Sequence, residues 1–282
     1  MKAQITLTVG EGKALIGAAI ASRSDVQSAL ANGKVLLKGG TTVADIACRL
    51  MAGDLRISGR ISPRGTKAAR HISAQPHSVI INKGVVQTID DSFAEAVASL
   101  RSGDVAIIGA NALDSTGRAA IMFGRPVGGA VGHGLAGLMA QGCKIIIACG
   151  LEKLIPGSID AAVQAAGIYS TSWSMGMAVG LVPLCGEVVS EQQALASLSG
   201  VTSTVIGSGG IHGAEGGVTM VIDGDEARVS KAIEWVLAVK GSNPAGCRES
   251  YEECVSGSTG CGVHQGCAWR MTKGDRIKWP VK

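Results

Sequence analysis

Aromatic side chains are scarce in this chain, with two phenylalanines, two tyrosines and four tryptophans, 3% of 282 residues. Proteins that hold nucleic acid stack bases on such rings and follow the backbone with basic stripes. Here the rings are few, the formal net charge is only +4 and no helix pattern carries a basic stripe, so nucleic acid is not an expected partner. An unbroken apolar run is missing as well. Residues 161 to 186 carry no charge and are long enough to span a bilayer, but Gln164, Tyr169, the hydroxyl-rich 170 to 174 and repeated glycines interrupt them. No membrane span is expected. The apolar stretch Ala14 to Ala21 follows Glu11 and Lys13 and runs on helical spacing into Ser22 to Asp25, so it reads as a helix and not as a secretory signal. A mature start at Met1 and a cytoplasmic location are expected. Cys-x-x-Cys is absent despite eight cysteines, which takes away the short-spaced metal knuckle.

Glycine, by contrast, is abundant at 41 residues, and the core must come from Ala, Val, Ile and Leu. Short β-branched runs at Val105 to Ile108 and Lys144 to Ala148 suit strands buried on both faces of a parallel sheet. Helical spacing is found at Lys13 to Ala31, at VADIACRLM, at Ser92 to Arg101, at Gly132 to Gln141, at Glu191 to Leu198 and at Asp225 to Ala238. Further strands are expected at KVLL, on either side of a Lys83-Gly84 turn, at Val182 to Val189, at TSTVIG and at VTMVID. The pattern predicts an α/β fold with an open, mainly parallel sheet flanked by helices. Residues 1 to 240 form the α/β domain in this reading, and 241 to 282 a tail rich in cysteine and glycine.

Ligands of open α/β sheets bind outside the carboxyl ends of the strands. That places Asn111 and Asp114 after one strand, and Glu152 and Lys153 after the next, among the candidate site residues. The segment Lys38-Gly39-Gly40-Thr41-Thr42 runs from a strand through glycines to hydroxyls at a helix start, where free N–H groups hold a phosphate or carboxylate; an ordinary capped turn has the same pattern. Glu215, in the glycine-rich GGIHGAEGG loop with Gly209, Gly210 and His212, could act as a nucleophile or general base, or simply bond its own loop. His133 and His212 are acid–base candidates near neutral pH, each with a purely structural alternative. His71 ends a basic segment, 56 to 71, that suits either a phosphate-rich ligand or solvent, and His71 and the nearby His77 read as exposed, with weaker cases for a role in a site. Residues 167 to 186, small with Trp173, Met175 and Met177 interleaved, could line an acyl or pantetheine channel or pack as core.

Taken together, LLKGGTTVADIACRL resembles the loop and helix of sugar-phosphate-sensing repressors and ribose-phosphate isomerases. DVAIIGANALDSTGRA, ACGLEKLIPGSID and GIY resemble the middle of the acyl-CoA transferase α half. The resemblance is to the superfamily uniting ribose-phosphate isomerase, glucosamine-phosphate deaminase and CoA transferases, in pieces across roughly residues 30 to 220. It implies a CoA-transferase-like or isomerase-like protein that binds a phosphorylated small ligand, either a CoA ester or a sugar phosphate. Acyl-CoA transfer or hydrolysis, sugar-phosphate isomerisation and non-catalytic metabolite sensing all remain open. Because a CoA transferase needs two such halves and this chain supplies one, the resemblance also implies a homodimer.

In the tail, Cys247, Cys254, Cys261 and Cys267 stand seven, seven and six positions apart with His264 among them. Such a set could ligate zinc or an iron–sulfur cluster, form two disulfides, or stay as free thiols. In the metal reading, the tail itself is the working part. Cys48, Cys143, Cys149 and Cys185 lie in apolar elements and read as buried hydrophobes.

Overall fold

The computed structural model describes residues 1 to 258, 260 to 264 and 266 to 270, so the last part of the tail lies outside the described residues. In chain order the elements are β1 (Lys2–Leu7), α1 (Val9–Ala21), α2 (Ser24–Asn32), β2 (Lys34–Lys38), α3 (Thr41–Arg49), β3 (Gly59–Ser62), β4 (Gly65–Ala68), β5 (Ser78–Asn82), β6 (Val85–Thr88) and α4 (Phe93–Ala98). They continue with β7 (Val105–Gly109), β8 (Ala112–Leu113), β9 (Ala119–Phe123), α5 (Gly129–Ala140), β10 (Lys144–Ala148) and α6 (Ile159–Ala165). The last are β11 (Gly180–Leu184), β12 (Glu187–Val189), α7 (Glu191–Ser199), β13 (Thr202–Gly209), β14 (Gly217–Asp223) and α8 (Glu226–Ala238).

The protein is mixed α/β with a mainly parallel central sheet flanked by helices. That sheet has the order β12-β10-β7-β2-β5-β6, with β12, β10, β7 and β2 parallel and β5 and β6 antiparallel at one edge. Alternation along each strand sends side chains to opposite layers. Val35, Leu37, Val105, Ile107 and Ile146 pack into a core with α1, α3 and α7, while Leu36, Ala106, Ile108 and Ile147 face α4 and α5. Both faces are covered, which is why the strands read as continuous apolar runs. Lys83 (φ 47°) and Gly84 (φ 80°) both take positive φ between β5 and β6, the two-residue hairpin geometry whose twist matches its strands.

Three expectations change. The single helix from Lys13 to Ala31 is two helices: Ser22 ends α1, donating its hydroxyl to Ala19 O at 3.1 Å, and Arg23 is extended. Asp25 and Glu187 hold the Arg23 guanidinium at that break. The expected strand Val182 to Val189 divides into β11, at the edge of the small sheet β11-β9-β8, and β12, at the edge of the main one. Pro183 fits such an edge because it has no N–H to give to a ladder. TSTVIG and VTMVID do not extend the parallel sheet; β14 pairs antiparallel with both β1 and β13 in a separate sheet.

Ser190 starts α7 with a reciprocal cap. Its hydroxyl accepts from Gln192 N at 3.3 Å, and the Gln193 side chain accepts from Ser190 N at 3.1 Å. Ser190→Ala is expected to cost about 1 kcal/mol, read as a lower urea midpoint at unchanged m-value. Among the described residues, no helix is long and apolar enough to cross a membrane, and residues 161 to 186 fold into the rest of α6, a loop and β11.

Candidate functional site

A cavity of 880 Å³ opens above the carboxyl ends of β2, β7 and β10. Its floor includes Gly39, Gly40, Thr41 and Thr42, the link from β2 to α3. Gly40 precedes α3 without any side-chain cap, so the first N–H groups of the helix are left without side-chain acceptors. The Thr42 hydroxyl, in a residue only 2% exposed, finds no hydrogen-bond partner. Free amides and a buried free hydroxyl at a helix start suit an anion, which the helix dipole also favours. Gly39 permits this tight passage, since a Cβ there would lie 2.1 Å from His77 O. Gly128, Gly129 and Ala130, at the equally uncapped start of α5, line the same cavity beside Arg125.

The cationic lining is broader than the sequence reading held. Lys13, Lys38, Arg56, Arg60, Arg125 and Lys153 all line the cavity. Burial and the adjacent Lys153 push the Lys38 ammonium down to about 8. His77 is buried, not exposed; burial, with Lys38 and Arg56 nearby, takes its imidazole down to about 3, so it is neutral at physiological pH. Its Nδ1 lies 2.9 Å from Ser78 Oγ. Asp90 supports this wall: it accepts from the N–H groups of His77 and Ser78 and from Arg56 at 2.8 Å. Burial alone would raise the Asp90 carboxyl, but those donors together hold it below its usual range.

On the far side, Glu152 and Lys153 sit 3.7 Å apart in a short turn after β10. Glu152 Oε2 is buried without a partner. Behind it, Glu191 accepts from Leu151 N at 2.9 Å; burial, then the Glu152 carboxylate, raises its carboxyl to about 7. Burial lowers the Lys13 ammonium, opposed by Glu152 and Glu191. A group titrating near neutrality, beside a carboxylate with one free buried oxygen and a lysine whose ammonium is disfavoured by burial, is a combination suited to moving protons.

Of the residues singled out from sequence, the cavity brings together Gly39, Gly40, Thr41, Thr42, Asn111, Glu152 and Lys153. Asn111 Oδ1 accepts from Met122 N at 2.9 Å, which leaves its amide nitrogen and one lone pair of the oxygen for a ligand. Asp114 is placed differently from its expected role. Its carboxylate accepts from Thr116 N, Thr116 Oγ1, Arg118 N and Ile159 N, which pin its turn to α6, and it is not on the cavity wall. Glu215, His212, Gly209 and Gly210 are exposed in the β13–β14 hairpin, and Glu215 accepts from Gly213 N within its own loop at 2.9 Å. None of them lines the cavity, because their strands belong to the antiparallel sheet; only the base of the loop approaches, near Gly216 beside Val9 and Glu152. His133 is exposed on α5 and also lies off the cavity wall. Of the segment 167 to 186, Met177, Val179 and Leu181 reach the cavity.

The tail lies along the basic segment. Arg60 donates to the carbonyls of Ser250 and Tyr251, Arg70 pairs with Glu252, and Cys254 N donates to Ala68 O. Much of the positive charge at 56 to 71 is therefore met by the tail and by Asp90. Cys254, Cys261 and Cys267 line one small recess with His264 and Lys67, whereas Cys247 does not. All four thiols are free, and among the described residues no group of three His, Cys, Asp or Glu is arranged to hold a metal ion. Cys143 and Cys149 are buried as expected, but Cys48 and Cys185 are exposed.

Sequence reasoning missed Lys13, Asp90, Arg125 and Glu191, which meet the site only through the fold. Lys38 and Arg56 stood in segments it singled out for an anion, and His77 was named there only as an exposed-looking residue. No protein-family model, curated protein or solved structure matches the chain.

Proposed function

We propose that this chain is an enzyme that acts on a phosphorylated small molecule, a sugar phosphate in preference to a CoA ester, and that it belongs with the isomerase-like members of the superfamily it resembles. The observation that carries this reading is the uncapped start of α3, with the partnerless Thr42 hydroxyl, facing a cavity lined by Lys13, Lys38 and Lys153. The phosphate sits on the α3 amides and Thr42. The reacting end lies among Lys38, Asn111 and Glu152, with Glu152 as the group that takes or returns a proton. A CoA ester is less favoured because Glu215, the carboxylate closest to an acyl-accepting role by sequence, is outside the cavity.

Isothermal titration with ribose 5-phosphate, inorganic phosphate and acetyl-CoA tests this. Ribose 5-phosphate is expected to bind, phosphate to compete with it, and acetyl-CoA to give no heat. Thr42→Val removes one hydrogen bond to a charged ligand, about 1.5 kcal/mol, or roughly tenfold in Kd. Glu152→Gln should keep binding while abolishing any turnover followed by proton NMR. Binding with no turnover in the parent protein would favour a metabolite sensor, and acetyl-CoA binding alone would favour acyl transfer.

A further inference from the structure

We propose that Lys38 forms an imine with the carbonyl carbon of a phosphorylated aldehyde or ketone held in the cavity. This rests on the phosphate-binding reading above and narrows its substrate to carbonyl compounds. Lys38 ends a strand paired on both sides, opposite Ser78 of β5 and Ile108 of β7, so its backbone is fixed at the cavity rim. Lys34 donates to Ser99, Lys144 reaches Glu187, Lys153 reaches Glu152 and Lys240 reaches Glu11; Lys13 lies in the field of the Glu152 and Glu191 carboxylates, and Lys67, whose buried Nζ also lacks a hydrogen-bond partner, does not line the cavity. Among the described residues Lys38 has neither a hydrogen-bond acceptor nor a carboxylate partner. Its charged and titratable neighbours are Lys153 from the turn after β10 and His77 from the approach to β5, and His77 is neutral.

An amine attacks carbonyl carbon only with its lone pair free. With its ionisation near 8, about a tenth of Lys38 is the free amine at pH 7, roughly two to three hundredfold more than an ordinary lysine. The step balances without an oxidant or reductant. The Nζ lone pair forms the C–N bond while the C=O π pair moves to oxygen, which takes a proton from nitrogen to give the carbinolamine. Loss of that oxygen as water, with one added proton, leaves the protonated imine. The positive nitrogen then draws electrons from the neighbouring C–H bond, whose proton goes to Glu152 Oε2, a buried carboxylate oxygen without a hydrogen-bond partner on the same cavity wall. A phosphate on the α3 amides would hold the carbonyl end of a short substrate near the rim, because Lys38 is three residues from Thr41.

The test is to incubate the full chain with glycolaldehyde phosphate and sodium cyanoborohydride, which reduces the imine to a stable secondary amine, and to map the adduct by mass spectrometry. One equivalent on Lys38 is expected. It should form at pH 7 at least tenfold faster than on surface lysines such as Lys2, and inorganic phosphate should suppress it. Lys38→Met and Lys38→Arg should both lose the adduct, and Lys38→Arg, which keeps the charge, serves if the methionine variant fails to fold. Adducts spread evenly over surface lysines, or one confined to Lys13 or Lys153, would overturn the proposal. Phosphate binding by titration without labelling of Lys38 would refute the imine and leave the phosphate site standing; loss of both would refute both.

Discussion

Glu11→Gln is expected to cost the fold about 3 kcal/mol at neutral pH and almost nothing below pH 2. Glu11 is only 5% exposed and closes a reciprocal cap with Thr8 at the start of α1. It also accepts from Gly241 N at 3.0 Å and from Lys240 at 2.9 Å, which joins the start of the chain to the segment after α8. Burial works to raise its carboxyl, but the Thr8 and Gly241 N–H groups and the Lys240 ammonium outweigh it and lower the value from 4.5 to about 2. The ionised form is therefore favoured by folding. Its contribution is fully present above the unfolded value of 4.5 and is lost as pH falls through about 2. Urea unfolding of parent and variant from pH 7 to pH 2 should give curves that converge on the acid side. Curves separated by a constant gap would mean that the Glu11 charge does not matter to stability.

Glu191→Gln carries the opposite sign. The Glu191 carboxyl is 2% exposed, and its value is raised from 4.5 to about 7, first by burial and then by the Glu152 carboxylate. In the unfolded chain it ionises above 4.5, while in the folded protein it keeps its proton until about 7, so the unfolded state gains as pH rises across that window. Glutamine is isosteric with the protonated acid and cannot ionise, and its carbonyl can still accept from Leu151 N. The variant should gain on the parent by up to about 3 kcal/mol between pH 4 and pH 8. A gap that does not change over that range would mean that Glu191 ionises as freely in the fold as in the unfolded chain. The pair offers a test within one molecule: both groups are little-exposed carboxylates and both accept backbone N–H groups, but their charged neighbours differ. Glu11 has the Lys240 ammonium beside it, whereas Glu191 has the Glu152 carboxylate.

The parallel core was legible because buried strands leave a local mark. Lys144 to Ala148 is β10 as read, Val105 to Ile108 falls within β7, and KVLL within β2. The helix after Gly39-Gly40 and a cavity at the strand ends were legible too, since glycine turns and strand direction are properties of short segments. TSTVIG and VTMVID carried equally clear strand signals, but a strand signal does not say which sheet the strand joins. Pairing with β1, more than 190 residues away, moved Glu215 and His212 off the site.

By itself the sequence determined the α/β class, the central strands and the glycine link to α3, all of which depend on neighbours within one or two turns of chain. Only the tertiary structure decided which charges meet. Lys13, Lys38, Glu152 and Glu191 come from four separate elements, and the ionisation of Lys13, Lys38 and Glu191 depends on burial and on distances between those elements. The basic run at 56 to 71 looked like a charge reserve for a ligand. Folding of the tail against it assigned much of that charge to Glu252, Asp90 and the carbonyls of Ser250 and Tyr251. Lys38 kept no such partner. Electrostatic character is a property of burial and of distance through space, and a linear pattern records neither.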